Sequence, residues 1–166
     1  LKSGEGARAA LEEAGFAVEV LDPAEHDALM RLVSEPYDVA FLCLHGRGGE
    51  DGAIQGFLET IGLPYTGSGI QASALAIDKA KTKKVYEDAG IPTPAALYLT
   101  SPNEFDLLDI EAHVGSKAVV KPATEGSSLG VSIVSGREQL QAAIGSAFDF
   151  DTLVVVEAFV EGTEVT

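Results

Sequence analysis

Apolar residues recur along the chain at two spacings, which predict alternating helical and extended segments. Near the start, Ala7, Ala10, Leu11 and Ala14 follow helical spacing, and Gly15 provides a stop. Helices are predicted at residues 4–14, 26–33, 53–61, 71–77, 79–89 and 137–148. Strands are predicted at residues 16–21, 37–44, 95–99, 118–122, 131–134 and 153–156, while residues 102–105 begin a turn or a helix. The apolar run at 37–44 is typical of a strand buried on both faces of a parallel sheet.

The order of these segments predicts an α/β chain in two parts. Helices and strands alternate up to about Gly90, as in a parallel βα domain. Pro92 and Pro94 oppose helix continuation and hold the chain extended. We therefore expect a parallel βα domain over residues 1–90, a linker over 91–94, and the first part of a mixed α+β domain over 95–166.

Both ends of the sequence are expected to lack a segment that the fold requires. The chain opens with Leu1 and a helix, whereas a parallel βα domain normally opens with a strand. The last residues, 161–166, resemble the approach to a strand that does not follow. We therefore expect further sequence on both sides of these residues.

Charge and composition narrow the classes of function. The 166 residues carry a formal net charge of −15, which disfavours nucleic-acid binding because that task needs a basic surface. No apolar run approaches the ~20 residues of a membrane helix, and the first residues lack the basic and apolar pattern of a signal peptide. The single cysteine, Cys43, allows no disulfide within the chain and is predicted to be a buried thiol. A cytoplasmic protein without membrane attachment is expected.

The few cations are unevenly placed. Four of the eleven Lys and Arg residues fall between Lys79 and Lys84. In so acidic a chain this cluster is a candidate anion site, because a lysine at a helix start adds to the favourable field for phosphate. A solvated helix face is the alternative, which charge alone favours. Asp78 is predicted to cap the helix under either interpretation.

A glycine-rich loop at residues 45–52 follows the apolar run directly. Its glycines allow the backbone to approach a ligand closely, and ligands of open α/β sheets bind beyond the carboxyl ends of strands. One interpretation is a small-molecule pocket that contains His45 and Glu50. The other is a plain turn in which Asp51 caps the helix starting near Ala53. The pattern alone leaves both open.

A second loop, called here the serine loop, spans residues 124–130 between two predicted strands, and Lys121 lies on the first of them. Glycine and serine offer amide and hydroxyl groups to phosphate oxygens. It is not a P-loop, because it lacks the Gly-Lys-Ser/Thr ending and precedes a strand. A mobile hairpin over phosphates and an ordinary hairpin both fit.

The last predicted strand runs into an acidic segment with Glu157, Glu161 and Glu164. One interpretation is an adenine slot, in which a carboxylate accepts from the adenine amino group and a later acid accepts from the ribose hydroxyls. The alternative is an acidic surface turn.

Taken in order, these motifs resemble the D-alanine–D-alanine ligase family of ATP-grasp enzymes over essentially the whole chain. The matching runs are 44–52 (LHGRGGEDG), 55–56 (QG), 64–69 (PYTGSG), 72–74 (ASA), 78–79 (DK), 89–94 (AGIPTP), 120–122 (VKP) and 125–132 (EGSSLGVS). Their order and spacing make the resemblance far more specific than any single motif.

The resemblance implies an enzyme of peptidoglycan precursor synthesis that uses ATP and two D-alanine molecules. ATP phosphorylates the carboxylate of the first D-alanine, and the amine of the second attacks the acyl phosphate, which releases phosphate. Mg²⁺ is expected to bridge the phosphates, and a homodimer is expected. Catalysis of this kind depends mainly on positioning and electrostatic stabilisation.

On the nucleotide side, the resemblance assigns Lys79 and Lys121 to phosphate binding. It assigns Glu157 to the adenine amino group and Glu164 to the ribose. The remaining nucleotide-binding candidates are Glu125, Gly126, Ser127 and Ser128 in the serine loop, and the backbones of Ala158 and Val160.

On the D-alanine side, the resemblance assigns catalytic roles to Ser127, Glu50 and His45. Ser127 resembles a serine that is linked by hydrogen bonds to groups near the dipeptide. Glu50 would complement a substrate ammonium network, and His45 would orient a substrate carboxylate.

The sequence departs from the family pattern by omission. The family's opening strand and its segments beyond Thr166 are expected to be missing, so no metal ligand is assigned and this stretch alone is expected to be inactive. Three alternatives stay open: a ligase that makes the D-alanyl–D-lactate ester, a non-catalytic nucleotide-binding fragment, and an ATP-grasp ligase with another carboxylate substrate. Arg47-Gly48-Gly49 favours the dipeptide, and the loop at 45–52 argues against another carboxylate.

Overall fold

The computed structural model describes residues 2–25 and 27–163, with only the backbone of Lys2. Within these residues the chain forms seven helices and four strands. The helices are α1 (Lys2–Glu13), α2 (Ala28–Ser34), α3 (Ala53–Ile61), α4 (Ile70–Ile77), α5 (Lys79–Asp88), α6 (Leu107–Val114) and α7 (Arg137–Phe148). The strands are β1 (Ala96–Leu99), β2 (Lys117–Pro122), β3 (Ser132–Ser135) and β4 (Val154–Ala158).

The four strands form one antiparallel sheet in the order β1-β4-β2-β3. Side chains of a strand alternate between the two faces of its sheet. On one face, Val120, Val154 and Val156 pack with the helices α6 and α7 in a buried apolar cluster. The opposite face therefore presents Lys121 and Glu157, and the helix α5 contacts this face through a hydrogen bond from Lys83 to Glu157.

The first part of the chain has a smaller apolar cluster built on Ile54, Leu58 and Leu63. Among the residues that the structure describes in this part, strand pairing is limited to a single parallel bridge between Ala40 and Tyr65. The amide of Ala40 donates to the carbonyl of Pro64 at 2.8 Å, and that of Thr66 to the carbonyl of Ala40 at 3.0 Å.

The predicted mixed α/β architecture is confirmed, but two predicted strands are wrong as regular strands. Residues 16–21 and 37–44 form no ladder among the described residues, apart from the bridge at Ala40. Phe41 is 53% exposed and Val39 is 56% exposed, so the second run is not buried on both faces. An extended segment becomes a strand only when a neighbour pairs with its amides and carbonyls.

The other predicted elements lie close to their predicted positions. The helices α3 and α7 have the predicted bounds, and the four sheet strands differ from theirs by one or two residues. The start predicted for the second helix, His26, lies outside the described residues.

The sequence predicts a turn or the beginning of a helix at residues 102–105, and the helix α6 begins shortly after them, at Leu107. Asp106 caps it by accepting a hydrogen bond from the amide of Leu108 at 2.7 Å, and Gly115 ends it with a φ of 87°. Among the described residues, no helix has the length and apolar character needed to cross a membrane.

Candidate functional site

A cavity of about 490 Å³ lies on the sheet face opposite α6 and α7. Its volume falls within the range of small-molecule sites, about 300–1,000 Å³. The sheet contributes Val119 and Lys121, and Lys79 comes from the start of α5. Residues 125–128 of the serine loop and Glu50 of the glycine-rich loop complete the polar lining. The cavity thus collects residues from distant parts of the chain.

Lys79 is held at the cavity by the start of its helix. Asp78 caps α5 by accepting a hydrogen bond from the amide of Lys81 at 3.0 Å, as predicted. The Lys79 ammonium donates to the carbonyls of Glu125 at 2.6 Å and of Ala123 at 3.4 Å. Burial lowers the pKa of Lys79, and the nearby charge of Lys121 lowers it further, against the opposing effect of surrounding carboxylates. Two cations so close together favour an anion between them.

Lys121 projects from β2 and forms an ion pair with Glu157 of β4. Glu157 is only 8% exposed, and its other oxygen accepts from Lys83 at 3.1 Å. Lys83 also donates to the Thr93 hydroxyl and the Pro94 carbonyl, each at 2.7 Å. A buried carboxylate is tolerated when it is paired in this way.

The serine loop departs from β2 with an unusual backbone. Ser127 and Ser128 have φ values of 50° and 58°, in the left-handed region of the backbone that residues other than glycine rarely adopt. Asp151 anchors the start of the loop by accepting from the Thr124 amide at 2.7 Å and its hydroxyl at 2.8 Å. Burial pushes the pKa of Asp151 upward, but the Thr124 hydrogen bonds help to hold it below its ordinary value. Strained backbone at a cavity wall is often associated with function.

The glycine-rich loop turns Glu50 back onto its own backbone. Glu50 accepts from the amide of Gly46 at 2.5 Å, and the nearest approach of His45 Nδ1 to its carboxylate is 3.9 Å. Asp51 accepts from the first amide of α3, that of Ala53, at 3.1 Å, while Gly52 occupies the cap position. The two interpretations of this loop are therefore compatible, because one carboxylate supports the helix while the other faces the cavity.

The glycine-rich loop and the serine loop are in direct contact. Arg47 forms an ion pair with Glu125 at 3.3 Å. A Cβ placed on Gly126 would lie 2.8 Å from the Gly46 Cα and 2.9 Å from a Glu50 carboxylate oxygen. This approach needs glycine at position 126, and it brings Glu50 to the same cavity as Ser127.

Most of the site residues predicted from the sequence line this cavity: Glu50, Lys79, Lys121, Glu125, Gly126, Ser127 and Ser128. Glu157 is reached through its ion pair with Lys121. Three further predicted residues lie apart from the lining: Ala158, His45 with a side chain that is 58% exposed, and Val160, which is 66% exposed. The amide of Ala158 donates to the carbonyl of Ala95 at 2.9 Å, and Glu164 lies outside the described residues.

Sequence reasoning missed two residues that hold the site together, Lys83 and Asp151. Lys83 is one helical turn after Lys79, and this spacing places both on the same side of α5. Asp151 stands two residues before the predicted last strand, a position at which a carboxylate can accept from loop amides. These two positions in the sequence were the signals that could have identified Lys83 and Asp151.

Comparison with known proteins gives two family matches. The family model described as D-ala D-ala ligase N-terminus matches residues 9–68, and that described as D-ala D-ala ligase C-terminus matches residues 85–166. The D-alanine–D-alanine ligase B of Pseudomonas putida is 49% identical over 166 residues, which are all of this chain and 51% of that protein. The chain spans about half the length of the curated relatives that it matches.

Solved structures agree with these matches. The crystal structure of D-alanine–D-alanine ligase from Bacillus anthracis has a TM-score of 0.84 and 34% identity, covering 97% of this chain and 52% of that one. A structure of D-alanine–D-alanine ligase from the same organism complexed with ATP has a TM-score of 0.70 and 33% identity, covering 86% of this chain and 51% of that one.

Proposed function

Because the chain belongs to the D-alanine–D-alanine ligase family, we propose that the whole protein uses ATP to join two D-alanines for peptidoglycan precursor synthesis. The supporting observation is the cavity where Lys79, Lys121, the serine loop and Glu50 meet. Cations and a serine-rich loop suit phosphates, while an acidic group beside them suits a substrate ammonium. ATP, when bound, supplies the phosphoryl group that converts a substrate carboxylate into an acyl phosphate.

On the nucleotide side, the proposed work of the chain is to neutralise and orient phosphate. Lys79 and Lys121 approach from helix and sheet, and Ser127 and Ser128 present their groups from the serine loop. Such groups stabilise the charge that develops in the transition state most effectively when they are already in position, since the site then needs little reorganisation during the reaction. Glu157 is proposed to accept from the adenine amino group.

The rest of the proposed nucleotide site follows the family pattern. Glu125 and Gly126 belong to the loop over the phosphates, the backbones of Ala158 and Val160 flank the adenine, and Glu164 holds the ribose.

On the amino-acid side, Glu50 is proposed to balance the substrate ammonium network. Its carboxylate lines the cavity while the Gly46 amide fixes one of its oxygens. Ser127 borders the same space and would donate its hydroxyl near the reacting carboxylate. His45, at the exposed edge of the loop, would orient a second carboxylate.

Mg²⁺ is proposed to accompany the nucleotide phosphates, because hard oxygen-rich anions bind it well. Within the described residues, no group of three or more His, Cys, Asp or Glu side chains could hold a metal ion. We assign no ligand and no catalytic step to the metal.

The proposal also covers the domains, the oligomeric state and the location of the protein. We propose the division into residues 1–90, 91–94 and 95–166, which is supported by two separate apolar clusters. A homodimer and a cytoplasmic location are proposed from the family pattern. D-Lactate as second substrate remains the alternative within the class, and a non-catalytic nucleotide-binding fragment is the alternative outside it.

The test is phosphate release from ATP by the natural full-length protein, with its intact mass measured on the same sample. We expect release to require D-alanine and the product to be the dipeptide. Release that needs D-lactate would indicate the ester ligase. Release that does not depend on D-alanine would overturn the substrate assignment, and a protein of full-length mass without release would overturn the enzyme proposal.

Nucleotide affinity should fall as the solution becomes alkaline, and the fall should begin at a lower pH than it would with a lysine of ordinary pKa. Only the ammonium form of Lys79 attracts phosphate, and its pKa lies below its ordinary value of 10.5 because of burial. The Kd for ATP should therefore rise as pH increases through that pKa, by about tenfold per unit once the ammonium has titrated. Calorimetric titration between about pH 7 and 10 measures it.

Lys79→Arg is the control for this pH dependence, because a guanidinium stays charged throughout that range. The rise in Kd should move to higher pH in this variant. An unchanged profile would mean that another group is responsible.

A further inference from the structure

Lys83 differs from Lys81 and Lys84, the two exposed lysines of its helix. The Lys81 and Lys84 side chains are 73% and 67% exposed, as expected for a solvated helix face, whereas the Lys83 side chain is 6% exposed. An ammonium group has three hydrogens to donate. All three are used, on the Thr93 hydroxyl, the Pro94 carbonyl and Glu157. A cation buried with a full set of partners has a defined task in the structure.

The two lysines on Glu157 are not equivalent. Lys121 lines the cavity, and its side chain is 20% exposed, so a nucleotide can reach it. Lys83 is not part of the cavity lining, and its other partners belong to the segment before β1. A ligand in the cavity can therefore draw Lys121 away from Glu157, whereas Lys83 stays in place.

We propose that Lys83 is a positioning residue of the nucleotide site, which holds Glu157 in the orientation that accepts the adenine amino group. This inference rests on the proposed function. Lys83 fixes one carboxylate oxygen of Glu157, and the other oxygen remains on the side of Lys121. A carboxylate oxygen can accept from more than one donor, so that oxygen retains capacity for a ligand amino group.

The geometry makes the orientation depend on Lys83 more than on Lys121. Once Lys121 turns to phosphate, Lys83 is the cation left on Glu157 among its partners described above. Without Lys83, the buried Glu157 carboxylate would lose its fixed partner and turn away from this orientation, because an unpaired buried charge is costly. The amino group would then lose its acceptor, while the phosphate contacts would remain.

The experiment compares ATP with purine riboside triphosphate, which lacks the adenine amino group, as ligands of the natural full-length protein. Calorimetric Kd values are measured for the unmodified protein, for Lys83→Met and for the exposed control Lys84→Met. We expect Lys83→Met to weaken ATP binding about tenfold more than analogue binding, since a hydrogen bond to a charged group is lost only with ATP. Lys84→Met should leave both Kd values unchanged.

Equal weakening of both ligands would overturn the proposal, because a purely structural role predicts it. Unchanged binding would overturn it as well. If Lys83→Met is not recovered folded, Thr93→Val decides, since it removes one partner of Lys83 and should give a smaller selective loss for ATP; no selective loss would overturn the proposal. Because the readout is binding without D-alanine, a wrong amino-acid substrate would not affect it, whereas a natural protein that binds neither nucleotide would overturn both proposals.

Discussion

Lys121→Met in the natural full-length protein should lower kcat/KM for ATP by about 100-fold or more. Lys121 stands at the cavity with Lys79 and would face the phosphates during the reaction. Without Lys121, the negative charge that develops on the transferred phosphoryl group would lose a cation that is already in place. Water would stabilise this charge less well, because it must reorient during the reaction. The fold should survive, because Glu157 keeps its contact with Lys83. Steady-state phosphate release at varied ATP measures the effect.

The matched control is Lys84→Met on the helix α5. Lys84 is exposed and pairs with Asp88 at 2.7 Å, so its removal costs little and should change kcat/KM by less than about twofold. A Lys121→Met enzyme with full activity would remove this lysine from the phosphate site. A loss accompanied by unfolding in circular dichroism would refute the expectation that the contact with Lys83 keeps Glu157 paired when Lys121 is removed.

Gly126→Ala should lower kcat/KM by about 10-fold to 100-fold, since small misplacements of catalytic groups cost that much. The new Cβ would stand 2.8 Å from the Gly46 Cα and 3.0 Å from the Gly46 amide nitrogen. These are backbone atoms, so one of the two loops must move away. The φ of Gly126 is not in the left-handed region, and therefore the effect is steric rather than conformational. Kinetics with both substrates varied measures it.

Gly145→Ala provides the comparison for this substitution. Gly145 lies inside the helix α7, and a Cβ there would meet no atom within 4 Å. Alanine should raise the free energy of unfolding by about 0.5–1 kcal/mol and leave activity unchanged. Wild-type activity in Gly126→Ala would mean that contact between the two loops is not needed for the reaction.

The elements that the sequence predicted well are those decided by nearby residues. The bounds of α3 and α7 follow from apolar spacing over a few turns, which depends little on the rest of the chain. The runs at 16–21 and 37–44 have an equally apolar pattern. They form no ladder in the described residues because pairing needs a partner segment, which local spacing does not contain.

The candidate site shows the same limit in its side chains. The predicted lysines Lys79 and Lys121 do meet at one cavity. The sequence could not show that Glu157 would pair with lysines 36 and 74 positions away. It also grouped Lys83 with Lys81 and Lys84, because only packing decides which side of a helix is covered.

The contact of the Lys79 ammonium with the Glu125 carbonyl gives the protein an internal competitor for anions. A phosphate that takes this ammonium must displace the carbonyl, so the free energy gained is only the difference between the two partners. A small free anion gains only this difference. A nucleotide can add contacts elsewhere, at its base and sugar, and so outcompete the carbonyl. The cavity would thereby discriminate by the number of simultaneous contacts, and this would protect it from the inorganic phosphate that the proposed reaction would release.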